Sequence, residues 1–234
     1  MRDHELEILR EALREHVNAL AVDIGPRTPL NSDSLVRTSN YIHSVFEEAG
    51  LSVREQHYQY YDQRVTNVLA THPTRTSASD YYVVGAHYDT VPDTPGADDN
   101  ASAVAVMLEL ARRLRHERLK APVMFAAFTL EEPPAYLTGH QGSRIFVRGS
   151  QTSGDHVLGA IILEMVGFTA PHQHYPYLGR WPGYPAEENF IGIIANWRSG
   201  ASVARFGGAS ARTQIYQSSR FFFLSMGASC LKHV

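Results

Sequence analysis

The sequence predicts an α/β fold, a three-layer αβα arrangement around a central mixed, mostly parallel sheet, and three observations lead there. Short apolar runs at Tyr81 to Ala86, Val123 to Leu130, Val157 to Leu163 and Ile191 to Ala195 read as strands apolar on both faces, the pattern of a sheet covered on both sides. Segments of helical periodicity alternate with them, as in α/β architectures. Polar clusters follow the apolar runs: His87 and Asp89 after the first, Glu131 and Glu132 after the second, Glu164 after the third. In such sheets ligands bind beyond the strand C-termini.

From the N-terminus, Leu6, Leu9, Leu13, Val17 and Leu20 repeat at helical spacing, which predicts an amphipathic helix over 4–20, interrupted by Pro26 and Pro29. A second helix begins near Asn31 or Ser32, with one of these or Asp33 as cap, and ends at Gly50. Residues 51–70 alternate as strands, with Asn67 to Ala70 entering the sheet, and the Thr/Ser/Pro stretch from Thr71 to Asp80 reads as an exposed loop. Ala101 to Glu117, rich in Ala, Leu and Arg, is a helix following the loop Gly96 to Asn100, and the polar segment after Glu132 holds a short helix.

Composition narrows the function. With 234 residues, 44% of them hydrophobic, the chain builds one sizeable domain over 1–234. A net charge of −3 gives no reason to expect nucleic acid or an anionic membrane as partner. One cysteine excludes an intrachain disulfide and a cysteine-based zinc site. No apolar run approaches the ~20 residues that span a bilayer, and the acidic, amphipathic start differs from a signal peptide, so a cytoplasmic location is the expectation.

A lone carboxylate at a strand end is ordinarily solvated or a helix cap. Asp89, Asp98, Asp99, Glu131, Glu132 and Glu164 differ in that the strand ends bring them to one edge. Carboxylates facing one another repel, and a cation relieves that repulsion. Imidazole with carboxylates suits zinc, with manganese or cobalt as alternatives. The residues alone imply a hydrolase with one or two divalent metal ions.

The segments His87-Tyr88-Asp89-Thr90, Pro95-Gly96-Ala97-Asp98-Asp99-Asn100-Ala101-Ser102, Thr129-Leu130-Glu131-Glu132-Pro133-Pro134 and Leu163-Glu164-Met165-Val166-Gly167 resemble the M28 family of di-zinc aminopeptidases, in order, from about residue 30 to 206. The resemblance implies peptide substrates and two zinc ions. His87 would bind one ion, Glu164 would complete its site, Asp98 would bridge both, and Glu132 would bind the second; many relatives carry Asp where Glu164 stands. Asp89 would accept from the other nitrogen of His87, and Glu131 would be the general base. Asp99 would stand outside the ligand set, joined to Asp98 by a cis peptide bond; a helix-capping Asp99 is the plainer alternative. Tyr88 and Tyr136 are either cleft residues or packing. His140, His156, His172 and His174 are expected to bind no metal.

The likeness fades from about Gly207, leaving 207–234 as an atypical tail. The family's late histidine, the last ligand of the ion held by Glu132, has only His233 in its place. The leading expectation is therefore a zinc exopeptidase acting on peptide N-termini. The alternatives are an inactive, truncated or altered member of the family and a glutaminyl-peptide cyclase-like acyltransferase.

Overall fold

The computed structural model describes residues 2–72, 80–171, 190–196, 199, 213–217 and 223–226. The chain forms two compact units, Met1–Ala160 and Ile161–Val234. In the first, α1 (Arg2–Asn18) runs into one wide π-helical turn, Ala19–Ile24, which Gly25 ends at φ 81°. α2 (Ser32–Glu48) buries Leu35, Ile42, Val45 and Phe46 on one face. It begins without the expected side-chain cap: Ser34 donates both N–H and hydroxyl to the Asn31 carbonyl instead. It closes where Gly50 turns left-handed and the Leu51 N–H returns to the Phe46 carbonyl.

β1 (Ser52–Tyr60) and β2 (Gln63–Thr71) form a tight hairpin, and β2 pairs antiparallel with β4 (Val123–Phe128). β3 (Asp80–His87) lies parallel to β4, giving the order β1-β2-β4-β3. The sheet is thus mixed, with antiparallel and parallel neighbours. A hairpin reverses the chain between β1 and β2, whereas the helical crossover α3 (Ala103–Leu114) returns it in the same direction from β3 to β4. Of the loop predicted over 71–80, Thr71 ends β2 and Asp80 begins β3, while 73–79 lie outside the described residues.

Two phenylalanines show the layers. Phe125 and Phe128 stand three apart on β4 and therefore point to opposite faces. Phe46 of α2 packs on Phe125 (ring centroids 6.1 Å), and Phe146 of α4 (Gly142–Ser153) packs on Phe128 (5.6 Å). α3 contacts β3, β4 and α2, and α1 lies on α3. The result is a mixed-sheet αβα fold. Among the described residues no helix is long and apolar enough to cross a membrane.

β5 (His156–Glu164) starts in the first unit, where Gly159 lies against the Tyr82 ring, and carries the chain into the second. There it pairs parallel with β8 (Phe223–Met226), which runs antiparallel to β6 (Ile191–Ala195), itself parallel to β7 (Thr213–Gln217). The tail read as atypical thus supplies two strands. The rest of it, including Phe221, Phe222 and His233, lies outside the described residues.

α1 is tied to α3 by buried His16, whose Nε2 is 3.2 Å from Glu109 and whose Nδ1 is 2.6 Å from the Tyr41 hydroxyl, while Arg112 donates to Glu109 at 2.9 Å. Burial lowers the His16 pKa below its ordinary 6.5 despite the Glu109 carboxylate. The folded state therefore binds fewer protons at this site than the unfolded chain. The stability it contributes is full above the unfolded value and is lost as pH falls through the folded one. The unfolding midpoint is expected to fall on acidification below about pH 6.5, and His16→Gln to flatten that slope. Denaturant melts across the pH series check both.

Candidate metal centre

β3 ends at His87, 5% exposed, followed by Tyr88 and Asp89, each 1% exposed. The Tyr88 N–H donates to the Phe128 carbonyl at 2.9 Å and its hydroxyl to the Thr66 carbonyl at 2.6 Å, so Tyr88 is packing and not a cleft residue. The Asp89 carboxylate spans the next strand end: Oδ1 accepts from the Glu131 N–H at 3.1 Å and Oδ2 from the Glu132 N–H at 2.9 Å. His87 Nδ1 stands 3.1 Å from the Asp89 carbonyl and 3.5 Å from its Oδ1. Both are acceptors, which assigns the proton to Nδ1 and the lone pair to Nε2.

Nε2 faces acids. Asp99 Oδ1 is 3.3 Å away and Glu132 Oε1 3.9 Å. A lone pair directed at carboxylates is repulsive unless a positive charge lies among them. Asp99 Oδ1 is also buried without a hydrogen-bond partner among the described residues, which a native fold rarely tolerates. His87 and Asp99 thus present a ring nitrogen and a carboxylate oxygen to one point of the first unit, while Glu164 ends β5 in the second. One imidazole with carboxylates fits a zinc ion in chemistry and in spacing.

The pair of aspartates corrects the reading. Asp99, placed outside the ligand set by the resemblance, is the acid that meets His87. Asp98, read as the bridging ligand, has an oxygen that accepts from the Ser102 hydroxyl at 3.2 Å. The cis bond joins Asp99 to Asn100 and not Asp98 to Asp99. Asp99 does not cap α3: the wide turn Ala97–Ser102 intervenes, and α3 starts after Ser102 without a side-chain cap. That turn starts at Gly96, φ 57°, where any side chain would overlap Thr90 and the Asp99 carbonyl.

Glu131 is held from the opposite direction. Its Oε1 accepts from the Ser143 N–H at 2.7 Å, and its Oε2 from the Ser143 hydroxyl and the Gln141 amide, each at 3.0 Å. Burial nevertheless raises its pKa, with the Ser143 bonds opposing. Ser143 is positioned by fully buried Asn67, which accepts from the Thr129 N–H at 3.1 Å and donates to the Gly142 carbonyl at 2.8 Å. Ser143, Gln141 and Asn67 escape sequence reasoning, as does buried Arg27; they are ordinary polar residues with no spacing motif. Tyr136 is 51% exposed, its N–H bonded to the Glu132 carbonyl. His140 stacks on Tyr61 and His156 faces Asp80 at 3.6 Å; His172 and His174 lie outside the described residues.

Asp89→Asn tests the clamp. An amide presents one acceptor and one donor to two N–H groups, leaving one of them buried without an acceptor. The expected loss is about 1–3 kcal/mol of stability, read by denaturant melts of the two proteins.

A model of Peptidase family M28 matches residues 67–196, more than half of the chain. The uncharacterized protein YfbL of Escherichia coli K12 is 34% identical over 195 residues, 79% of this chain and 59% of YfbL, so the chain spans less than two thirds of that relative. Among solved structures, a Porphyromonas gingivalis glutaminyl cyclase superposes with a TM-score of 0.68 at 19% identity, covering 95% of this chain and 85% of the other. A leucine aminopeptidase precursor from Bacteroides thetaiotaomicron gives 0.64 at 18% identity, covering 93% and 78%. Likeness at such identity shows a shared fold. The family match, spanning the His87, Asp99, Glu131-Glu132 and Glu164 segments, places this chain in peptidase family M28.

Proposed function

We propose that this chain is a zinc-dependent aminopeptidase domain that hydrolyses the N-terminal residue from peptides. The observation that carries the reading is the Asp89 clamp, which fixes Glu131 and Glu132 beside the ring of His87. One carboxylate of the pair turns toward His87 Nε2; the other is buried with a raised pKa. His87 and Asp99 would hold the zinc ion, and the resemblance adds Glu164 as its further ligand. Asp98 and Glu132 remain the proposed ligands of the second ion that the resemblance implies. Bound zinc supplies Lewis-acid polarisation of the scissile carbonyl and acidifies water.

The chain's own residues do the rest. Glu131 takes the proton of the attacking water on its carboxylate and returns it to the leaving amine, and a raised pKa suits a group that must both accept and donate. Ser143 and Gln141 hold the carboxylate in one orientation throughout. Asp89 keeps the His87 proton on Nδ1, so Nε2 stays a ligand. The acids around Nε2 attract the free α-ammonium of a peptide, which favours cleavage at the N-terminus.

Hydrolysis of aminoacyl p-nitroanilides, abolished by chelator and restored by zinc, is the expected activity. Glu131→Gln keeps the metal and is expected to lose at least ~100-fold in turnover. Cyclisation of an N-terminal glutamine with ammonia release would replace this reading with the acyltransferase one. Zinc binding without turnover of either substrate would mark an inactive member of the family.

A further inference from the structure

We infer that Arg27 is the positioning residue of the metal centre: its buried guanidinium locks the segment carrying His87 and Asp89 to the loop carrying Asp98 and Asp99, and so sets how tightly zinc is held. The inference rests on the proposed zinc site. Arg27 is 0% exposed. Its Nε donates to the Tyr88 carbonyl at 2.6 Å, immediately after His87. Nη1 donates to the carbonyls of Leu20, Gly25 and Pro95 at 2.9, 3.1 and 2.7 Å, and Nη2 to that of Gly96 at 2.9 Å. Its backbone closes the same junction: the Arg27 N–H donates to the Thr90 hydroxyl at 3.1 Å, and the Thr90 N–H to the Arg27 carbonyl at 2.8 Å.

Five carbonyls from three separate segments accept from all three guanidinium nitrogens, a planar geometry that a lysine ammonium does not reproduce. A staple needs no such cation, since burying a charge is costly. What the charge adds is a field. Burial brings the Arg27 pKa down to about 10 and the charges of Asp89 and Asp99 oppose that fall, so it stays protonated at neutral pH. Arg27 therefore offsets the mutual repulsion of the acids from behind and keeps them gathered while no metal is bound.

The test uses the full chain with zinc as ligand. Arg27→Lys keeps the charge and loses the fork; Arg27→Met loses both. Cooperative melts establish folding, competition with a chromophoric chelator gives zinc affinity, and the visible spectrum of the cobalt(II)-loaded protein reports ligand geometry. Arg27→Lys is expected to weaken zinc binding by ~10–100-fold, as for other groups that orient metal ligands, with an altered cobalt spectrum and a larger loss in Arg27→Met. A folded Arg27→Lys with unchanged affinity and spectrum overturns the inference and leaves the zinc site standing. Wild-type protein that binds no zinc overturns both. Should neither variant fold, hydrogen exchange on the wild type decides: zinc must protect the Gly25, Thr90 and Ala101 amides together, and an unresponsive Gly25 overturns the coupling.

Discussion

The first unit is organised around an electrostatic constraint, the gathering of acids at one imidazole nitrogen. Asp99 Oδ1 and Glu132 Oε1 approach His87 Nε2 to 3.3 and 3.9 Å, and Asp89 sits on the other side of the same ring. Left to themselves these groups would separate. Each is instead anchored by backbone: β3 places His87, the Gly96 turn places Asp99, and the Asp89 carboxylate grips two consecutive N–H groups at the end of β4. The strain of like charges is thus held by peptide hydrogen bonds, and a divalent cation relieves it.

A second set of contacts keeps chemistry separate from binding. Glu131 and Glu132 are neighbours in sequence but face different partners. Glu132 turns toward His87, while Glu131 is taken by Ser143 and Gln141 at the start of α4. Asn67 joins β2, the end of β4 and the α4 N-terminus in one buried node, with no room for a side chain at Gly142. Helix α4 accordingly belongs to the site as much as the strands do. Its role is to hold a carboxylate in a buried environment that favours the protonated form more than water does.

Much of this was legible in the sequence. Apolar runs followed by acids located β3, β4 and β5, and the apolar run Ile191–Ala195 falls on its predicted bounds. What periodicity cannot convey is backbone conformation inside a turn. Asp98 and Asp99 are chemically equivalent in the sequence, and only the wide turn after Gly96 decides which of them faces His87. Arg27 left no trace: an arginine between two loop residues looks solvated until five carbonyls, three of them more than sixty residues away, converge on it.

The central claim, that His87 and Asp99 are partners in a zinc site, is tested most directly by titrating zinc into wild-type protein, Asp99→Asn and Asp98→Asn, with chelator competition as readout. The account predicts tight zinc binding by the wild type and a loss of more than ~100-fold in Asp99→Asn, beyond the effect of a residue that only orients ligands, with a smaller loss in Asp98→Asn. Equal affinity of wild type and Asp99→Asn, or a greater loss in Asp98→Asn, would contradict it.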